Sequence, residues 1–184
     1  MENSNVKFKK FDFRNDVVDL FNLMLDSKEQ VLFHSRFQIN SLPEFEKFMA
    51  TNLATIYHDF YVIFDESTYS NIGYVYSYEF SHYDSHCKIC LFVKDKYQNS
   101  GIGAYMGVKF VDELFRNYPL KKIFTDVYDY NKQSLLSNLD SGFVEEGCLK
   151  EFRYHNGKYY DLHVLGLSRE DFYKKFEGVI DFDK

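Results

Sequence analysis

Tryptophan is absent from this sequence of 184 residues, proline occurs only 2 times and cysteine 3 times. So little proline excludes a polyproline spacer or a proline-rich linker. The three cysteines, Cys87, Cys90 and Cys148, are odd in number and too few for a disulfide scaffold, so a reducing, cytoplasmic setting is expected. No apolar run reaches the roughly 18 residues that a membrane-spanning helix needs. The opening MENSNVKFKKFDF has no apolar stretch of the kind that marks a secretory signal. Positive charge is not in excess either: 22 basic against 28 acidic side chains leave a net charge of −6. Sequence-independent nucleic-acid binding needs a dense basic face, so neither a nucleic acid nor a membrane is expected as partner.

What remains is a globular mixture, 45% hydrophobic and 27% charged, with 16 Tyr and 20 Phe. A chain of this length buries a core without covalent staples, and one domain over residues 1–184 is expected. There is no internal repeat and no low-complexity tract.

Periodicity sets out the elements. Val6 to Phe11 alternates as a strand, and Val17, Leu20, Phe21 and Met24 recur at helical spacing within Asp16–Leu25. Ser41-Leu42-Pro43-Glu44 predicts a second helix opened by a capping box, with proline in its first turn. Strands follow over Phe60–Phe64, Asn71–Phe80 and Lys88–Val93. A helix is expected from Gly101 to Arg116, with Ala104, Val108, Val111 and Phe115 on one face. Lys122–Val127 reads as a strand and Asn131–Leu139 as a short helix ended by Gly142. Gly147–Tyr154 and Tyr159–Leu167 flank Asn156-Gly157, a strong hairpin turn, and a helical tail begins at Ser168. Three consecutive strands inside a helix-containing chain point to a mixed α+β sheet rather than a doubly wound parallel one.

The segment with most chemical content is Val93-Lys94-Asp95-Lys96-Tyr97-Gln98-Asn99-Ser100-Gly101-Ile102-Gly103-Ala104, which leads from a strand through a polar loop into a helix. The first N–H groups of a helix lack internal partners and stand at the positive end of its dipole. Small residues there admit an anion, and the combination makes a phosphate site. Two glycines by themselves also serve simply to relieve crowding at a loop-to-helix junction. A dinucleotide fingerprint would need glycine where Met106 stands, and no Gly-Lys-Ser/Thr P-loop occurs.

Gln98-x-x-Gly101-x-Gly103-Ala104 resembles the acetyl-CoA pyrophosphate loop of the GCN5-related N-acetyltransferases. Asn131-Lys132-Gln133-Ser134, then Ser141-Gly142-Phe143 and Glu146-Gly147, resembles that family's second motif. Phe152–Asp161 is similar to the closing hairpin of the subgroup that includes ribosomal-protein alanine acetyltransferases. The resemblance covers essentially the whole chain. It implies a central mixed sheet of about seven strands, flanked by helices and splayed at the strand ending in Val93, with acetyl-CoA as cosubstrate in the split. It implies that the backbone of Phe92 and Val93 pairs with the pantetheine arm. The N–H groups of Gln98, Asn99, Ser100, Gly101, Ile102, Gly103 and Ala104 would hold the pyrophosphate, and Asn131 and Ser134 would assist. Asn131 also suits a plain helix N-cap.

Acyl transfer from a thioester to an amine needs a neutral amine, a polarised carbonyl and a proton donor for the leaving thiolate. At the position where the family often has a tyrosine donor this sequence has Asn138, and where it often has a glutamate it has Lys88. Glu79 on the neighbouring strand is the substitute base, with His82 and Asp84 as rivals; Tyr128 is the candidate donor. An exposed strand carboxylate and a packing tyrosine are the ordinary alternatives for these two. His34 and Arg36, in the connector between the first two helices, fall where the family contacts its acceptor, and an arginine there would suit an anionic or sugar-phosphate group. Cys87-Lys88-Ile89-Cys90 is a C-x-x-C, but residues three apart on a strand point to opposite faces and no second pair completes a site, so no metal is expected.

The resulting expectation is an acetyl-CoA-dependent N-acetyltransferase. Its acceptor would be a primary amine: a small molecule, an amino sugar nucleotide, or a peptide or protein N-terminus. Homodimerisation is compatible with it. The alternative is a non-catalytic acyl-CoA-binding sensor or partner module of the same fold.

Overall fold

The computed structural model describes residues 5–26, 41–53, 55–155 and 157–178. In chain order the elements are β1 (Val6–Lys10), α1 (Phe13–Asp26), α2 (Leu42–Asn52), β2 (Tyr57–Asp65), β3 (Ser70–Ser81) and β4 (His86–Val93). A 3₁₀ turn (Asp95–Tyr97) leads to α3 (Ile102–Asn117), then β5 (Lys122–Tyr128), α4 (Lys132–Asp140), β6 (Val144–His155), β7 (Lys158–Ser168) and α5 (Arg169–Phe176). The seven strands are ordered β1-β2-β3-β4-β5-β7-β6. The β4–β5 pair is parallel, while β1–β2, β2–β3, β5–β7 and β6–β7 are antiparallel. The expected mixed α+β sheet of seven strands is what the chain forms. The register with β5 runs from His86↔Lys122 to Lys88↔Phe124, although β4 continues to Val93.

The chain divides into two compact units, Met1–Phe80 with Ile89–Phe110, and Ser81–Lys88 with Val111–Lys184. In the first, Phe11, Val17, Leu20, Phe45 and Met49 close over one face of the strands, against Val62, Tyr74, Tyr76, Tyr78 and Phe92. The strand face is largely aromatic: Phe60 stacks on Tyr76 at 5.1 Å and Tyr74 on Phe92 at 5.2 Å. A second cluster joins Val6, Ile63, Ile72 and Val93 to Ile102 and Met106 of α3. The second unit buries Val111, Leu114, Phe115, Leu120, Ile123, Leu165, Leu167 and Phe172. In it, Arg169 donates to the carbonyls of Leu120 (2.8 Å) and Tyr118 (2.6 Å), which follow the C-terminal end of α3.

Local chemistry explains where the elements depart from the periodicity. Helix α1 starts before Asp16 because Asp12 Oδ1 accepts the Arg14 N–H at 3.0 Å, as a capping side chain does. Asp16 itself is buried and accepts from the Asp12 N–H and from Lys9. The capping box at Ser41 does not form: its side chain makes no cap bond, and Pro43 in the first turn lacks one of the N–H groups such an oxygen would accept. The buried stripe of α3 is Ile102, Met106, Phe110, Val111, Leu114 and Phe115, whereas Ala104 is exposed. The larger side chains claim the interior, since burial scales with apolar area. Gly157 adopts the left-handed conformation (φ 81°) expected at the β6–β7 turn; Asn156 lies outside the described residues.

Candidate active site

The polar loop is built from the end of β4 outward. Phe92 and Val93 are both buried. Gln98 Nε2 donates to Val93 O (3.4 Å) and Asp95 Oδ1 (3.0 Å), which folds the loop back on its strand. The Tyr97 hydroxyl donates to Asp65 Oδ2 at 3.2 Å, tethering the 3₁₀ turn to the end of β2. Asp65 also accepts from Ser67 and Thr68, and these bonds, that of the Ser67 hydroxyl first, hold its carboxyl below the usual range. The loop spends the Gln98 N–H on Asp95 O and the Ser100 N–H on Tyr97 O. Ile102 N–H is capped by Ser100 Oγ at 3.3 Å.

Two left-handed residues turn the chain into α3, Asn99 at φ 60° and Gly101 at φ 83°. Asparagine tolerates that conformation and glycine has no Cβ to strain it. Gly103 lies against β4, where a Cβ would stand 3.5 Å from Val93 Cγ2. Its N–H and that of Ala104 are first-turn donors with no hydrogen bond among the described residues. A helix of 16 residues places the positive end of its dipole at the same point. This local geometry suits an anion such as a pyrophosphate.

The remaining expected residues lie elsewhere. In the second unit, Asn131 Oδ1 accepts the Ser134 N–H at 3.2 Å and so caps α4. The cap engages only the oxygen, so the amide NH₂ is not consumed by it. Asn138 Nδ2 donates to Ser134 O at 2.8 Å and to Ser134 Oγ at 3.3 Å. Tyr128 is buried, stacked on Tyr130 at 5.4 Å, with the Arg153 guanidinium 4.8 Å from its ring centre. Lys88 pairs with Asp126 at 2.9 Å. Asp84 accepts from Ser81 Oγ at 2.7 Å within a tight turn, and the His82 ring lies 6.4 Å from that of Tyr118. Glu79 belongs to the first unit, is exposed, and has a left-handed backbone at φ 46° near the end of β3. His34 and Arg36 lie outside the described residues.

A group that the sequence reading passed over sits in the first unit. Burial pushes the Cys90 thiol up to about 11, against a lowering hydrogen bond with Tyr76. Burial, and next the neighbouring Cys90, raise Tyr57 to about 12, and burial raises Tyr74 and Tyr76 well above the ordinary tyrosine value. All are therefore neutral at pH 7 and available only as protonated groups. Tyr74, Tyr76 and Tyr78 alternate along β3, so period two alone would have placed them on one face. Cys87 is completely buried on the same strand as the half-buried Cys90.

A family model described as "Acetyltransferase (GNAT) domain" matches residues 13–164. The SPbeta prophage-derived uncharacterized N-acetyltransferase YokL of Bacillus subtilis (strain 168) is 26% identical over 114 residues, 62% of this chain and 64% of that protein. The match thus spans slightly under two thirds of the relative. Among solved structures, the spermidine N-acetyltransferase from Vibrio cholerae in complex with CoA and spermine superposes with a TM-score of 0.80 at 21% identity, covering 92% of this chain and 99% of that one. The dodecameric form of the same enzyme gives a TM-score of 0.79 at 20% identity, covering 97% and 100%. At such identities the structural likeness establishes the fold.

Proposed function

The chain belongs to the GNAT acetyltransferase family, and from that premise we propose that it moves an acetyl group from acetyl-CoA to a primary amine. The observation that carries the proposal is the loop into α3, where the N–H groups of Gly103 and Ala104, without a hydrogen bond among the described residues, meet the helix dipole beside the end of β4. These donors hold the pyrophosphate, with Gln98, Asn99, Ser100, Gly101 and Ile102 shaping the turn. The Phe92 and Val93 backbone pairs with the pantetheine arm, and Asn131 and Ser134 contact the cofactor. The neutral amine attacks the thioester carbonyl, forming the C–N bond; the C–S bond breaks and the thiolate takes a proton. Glu79 accepts the proton that the amine loses, and Tyr128 donates to the thiolate. The positive φ of Glu79 supports this role, since strained backbone in a strand re-aims a side chain.

The acceptor is a primary amine: a small amine, an amino sugar nucleotide or a protein N-terminus. The net charge of −6 favours a cationic one, and structural neighbours include spermidine acetyltransferases. His34 and Arg36 would instead meet an anionic or sugar-phosphate acceptor, and the resemblance of the closing hairpin to ribosomal-protein alanine acetyltransferases keeps peptide N-termini in the same candidate set. A second reading, a non-catalytic acyl-CoA-binding module, is favoured by Asn138 and Lys88: at the two usual acid and base positions stand an amide bonded to Ser134 and an ammonium paired with Asp126.

Calorimetry with acetyl-CoA tests the loop. In Gly103→Val the Cβ would meet Val93 Cγ2 at 3.5 Å and Leu91 Cδ2 at 3.8 Å, ordinary contact distances; the variant is expected to fold, and its added bulk in the first turn of α3 is expected to push the phosphate off these donors. Losing one charge-assisted bond, worth about 1.5 kcal/mol or more, weakens acetyl-CoA by at least about tenfold. Unchanged affinity would remove the loop from the site. Glu79→Gln is expected to leave acetyl-CoA affinity intact and lower turnover; wild-type turnover across pH would dismiss Glu79 as base.

A further inference from the structure

We propose that Glu145, Cys148 and His163 bind a divalent transition-metal ion of the zinc class on the β6–β7 hairpin, independently of the acetyl-CoA loop. One ligand atom from each lies within 4.8 Å of the others. Cys148 and His163 are direct partners across the antiparallel ladder, which brings a thiol and an imidazole together. Glu145 stands three positions before Cys148, a separation that places two side chains on opposite faces of a regular strand. Here the register shifts between Glu145 and Gly147, and the extra residue returns Glu145 to the Cys148 face. The C-x-x-C at Cys87 and Cys90 has the same spacing within β4, with one cysteine fully buried and the other half-buried.

The donor set is one sulfur, one ring nitrogen and one carboxylate oxygen, the combination that suits zinc and its cobalt surrogate. Donors on a tetrahedral ion stand about 3.3–3.8 Å apart, given metal–ligand bonds of about 2.0–2.3 Å. His163 Nδ1 and Glu145 Oε2 are 3.1 Å apart, close to that spacing. Asp161, two residues before His163 on β7, brings Oδ2 to 3.8 Å from Cys148 Sγ. The Glu151 N–H (2.9 Å) and Lys150 Nζ (2.7 Å) hold that carboxylate beside the thiol. The His163 side chain is 17% exposed and that of Glu145 45%, so an ion has an entry path and water completes its shell. Binding expels the thiol proton, and any proton shared by Glu145 and His163, to solvent. Thiolate and carboxylate then neutralise the ion. The ion ties the edge strand β6, most of whose side chains are exposed, to β7.

The test is a cobalt(II) titration of the full chain, stripped of metal and kept reduced. One equivalent should bind with thiolate-to-cobalt charge-transfer absorption. Cys148→Ser should abolish that absorption and His163→Ala should weaken binding at least tenfold, whereas Cys90→Ser should keep both. Zinc should raise the melting temperature of the parent protein and not that of Cys148→Ser. Absence of charge-transfer absorption in the parent at excess cobalt, or its persistence in Cys148→Ser, would overturn the site and leave Glu145–His163 a surface ion pair.

Discussion

Asp65 shows how one carboxylate links a turn to the loop that leads into α3. It is buried at the end of β2 and accepts from the Ser67 N–H, both turn hydroxyls and the Tyr97 hydroxyl of the loop. Those bonds favour the charged form and lower its pKa in the folded protein. A lowered folded pKa means that the contribution to stability is fully present above the unfolded value of about 3.9 and is lost as pH falls through the folded value. Urea unfolding measured between neutral pH and pH 3 should therefore show a loss of stability with acid that is shallower in Asp65→Asn. An identical acid slope in the two proteins would mean that the carboxylate is not held as described. The sequence marks Asp65 only as the start of a turn. Its partners come from its own turn and from Tyr97, 32 positions away, and only the second contact gives it a bearing on the loop.

Among the elements, β3 and β4 approach each other closely at Gly73. A Cβ on Gly73 would stand 2.2 Å from the carbonyl oxygen of Phe92, a backbone atom that cannot swing aside. Gly73→Ala is expected to destabilise the protein by about 1–3 kcal/mol, as overpacking does. Gly107→Ala in α3, whose Cβ would meet only Leu91 Cδ1 at 3.7 Å, should instead stabilise by about 0.5–1 kcal/mol. Melting temperatures shifted in opposite directions would bear this out, and a neutral Gly73→Ala would contradict the close approach. The strands and helices themselves were legible because their apolar periodicities are local: β3, β5, α4 and the closing hairpin lie within a few residues of their expected bounds. Four features were not legible. The start of α1 depends on Asp12 capping from outside the apolar pattern, the Ser41 cap depends on rotamer and on Pro43, and the buried face of α3 depends on which apolar residues the neighbouring strands accept. The bulge that gathers Glu145 and Cys148 is a register effect, set by pairing with β7 and invisible to a period counted along one strand.

At the scale of the whole molecule, the candidate site was legible in proportion to how much of it is backbone. Gln98, Gly101 and Gly103 stand in sequence order, and the loop they form is held by its own hydrogen bonds, so a short motif suffices to find it. Glu79 and Tyr128 belong to different compact units, and the roles proposed for them rest on chemistry demanded by the reaction rather than on a contiguous pattern. The Tyr57–Tyr76–Cys90 group is assembled from three strands and went unseen for the same reason. Transfer of an acetyl group, rather than binding alone, is the central claim, and release of free CoA thiol from acetyl-CoA in the presence of a panel of amines tests it most directly. The panel should contain polyamines, an amino sugar nucleotide and peptides with free N-termini. The account predicts thiol release that depends on one class of amine and saturates with its concentration. Acetyl-CoA binding without thiol release above the amine-free rate, for every amine in the panel, would contradict it.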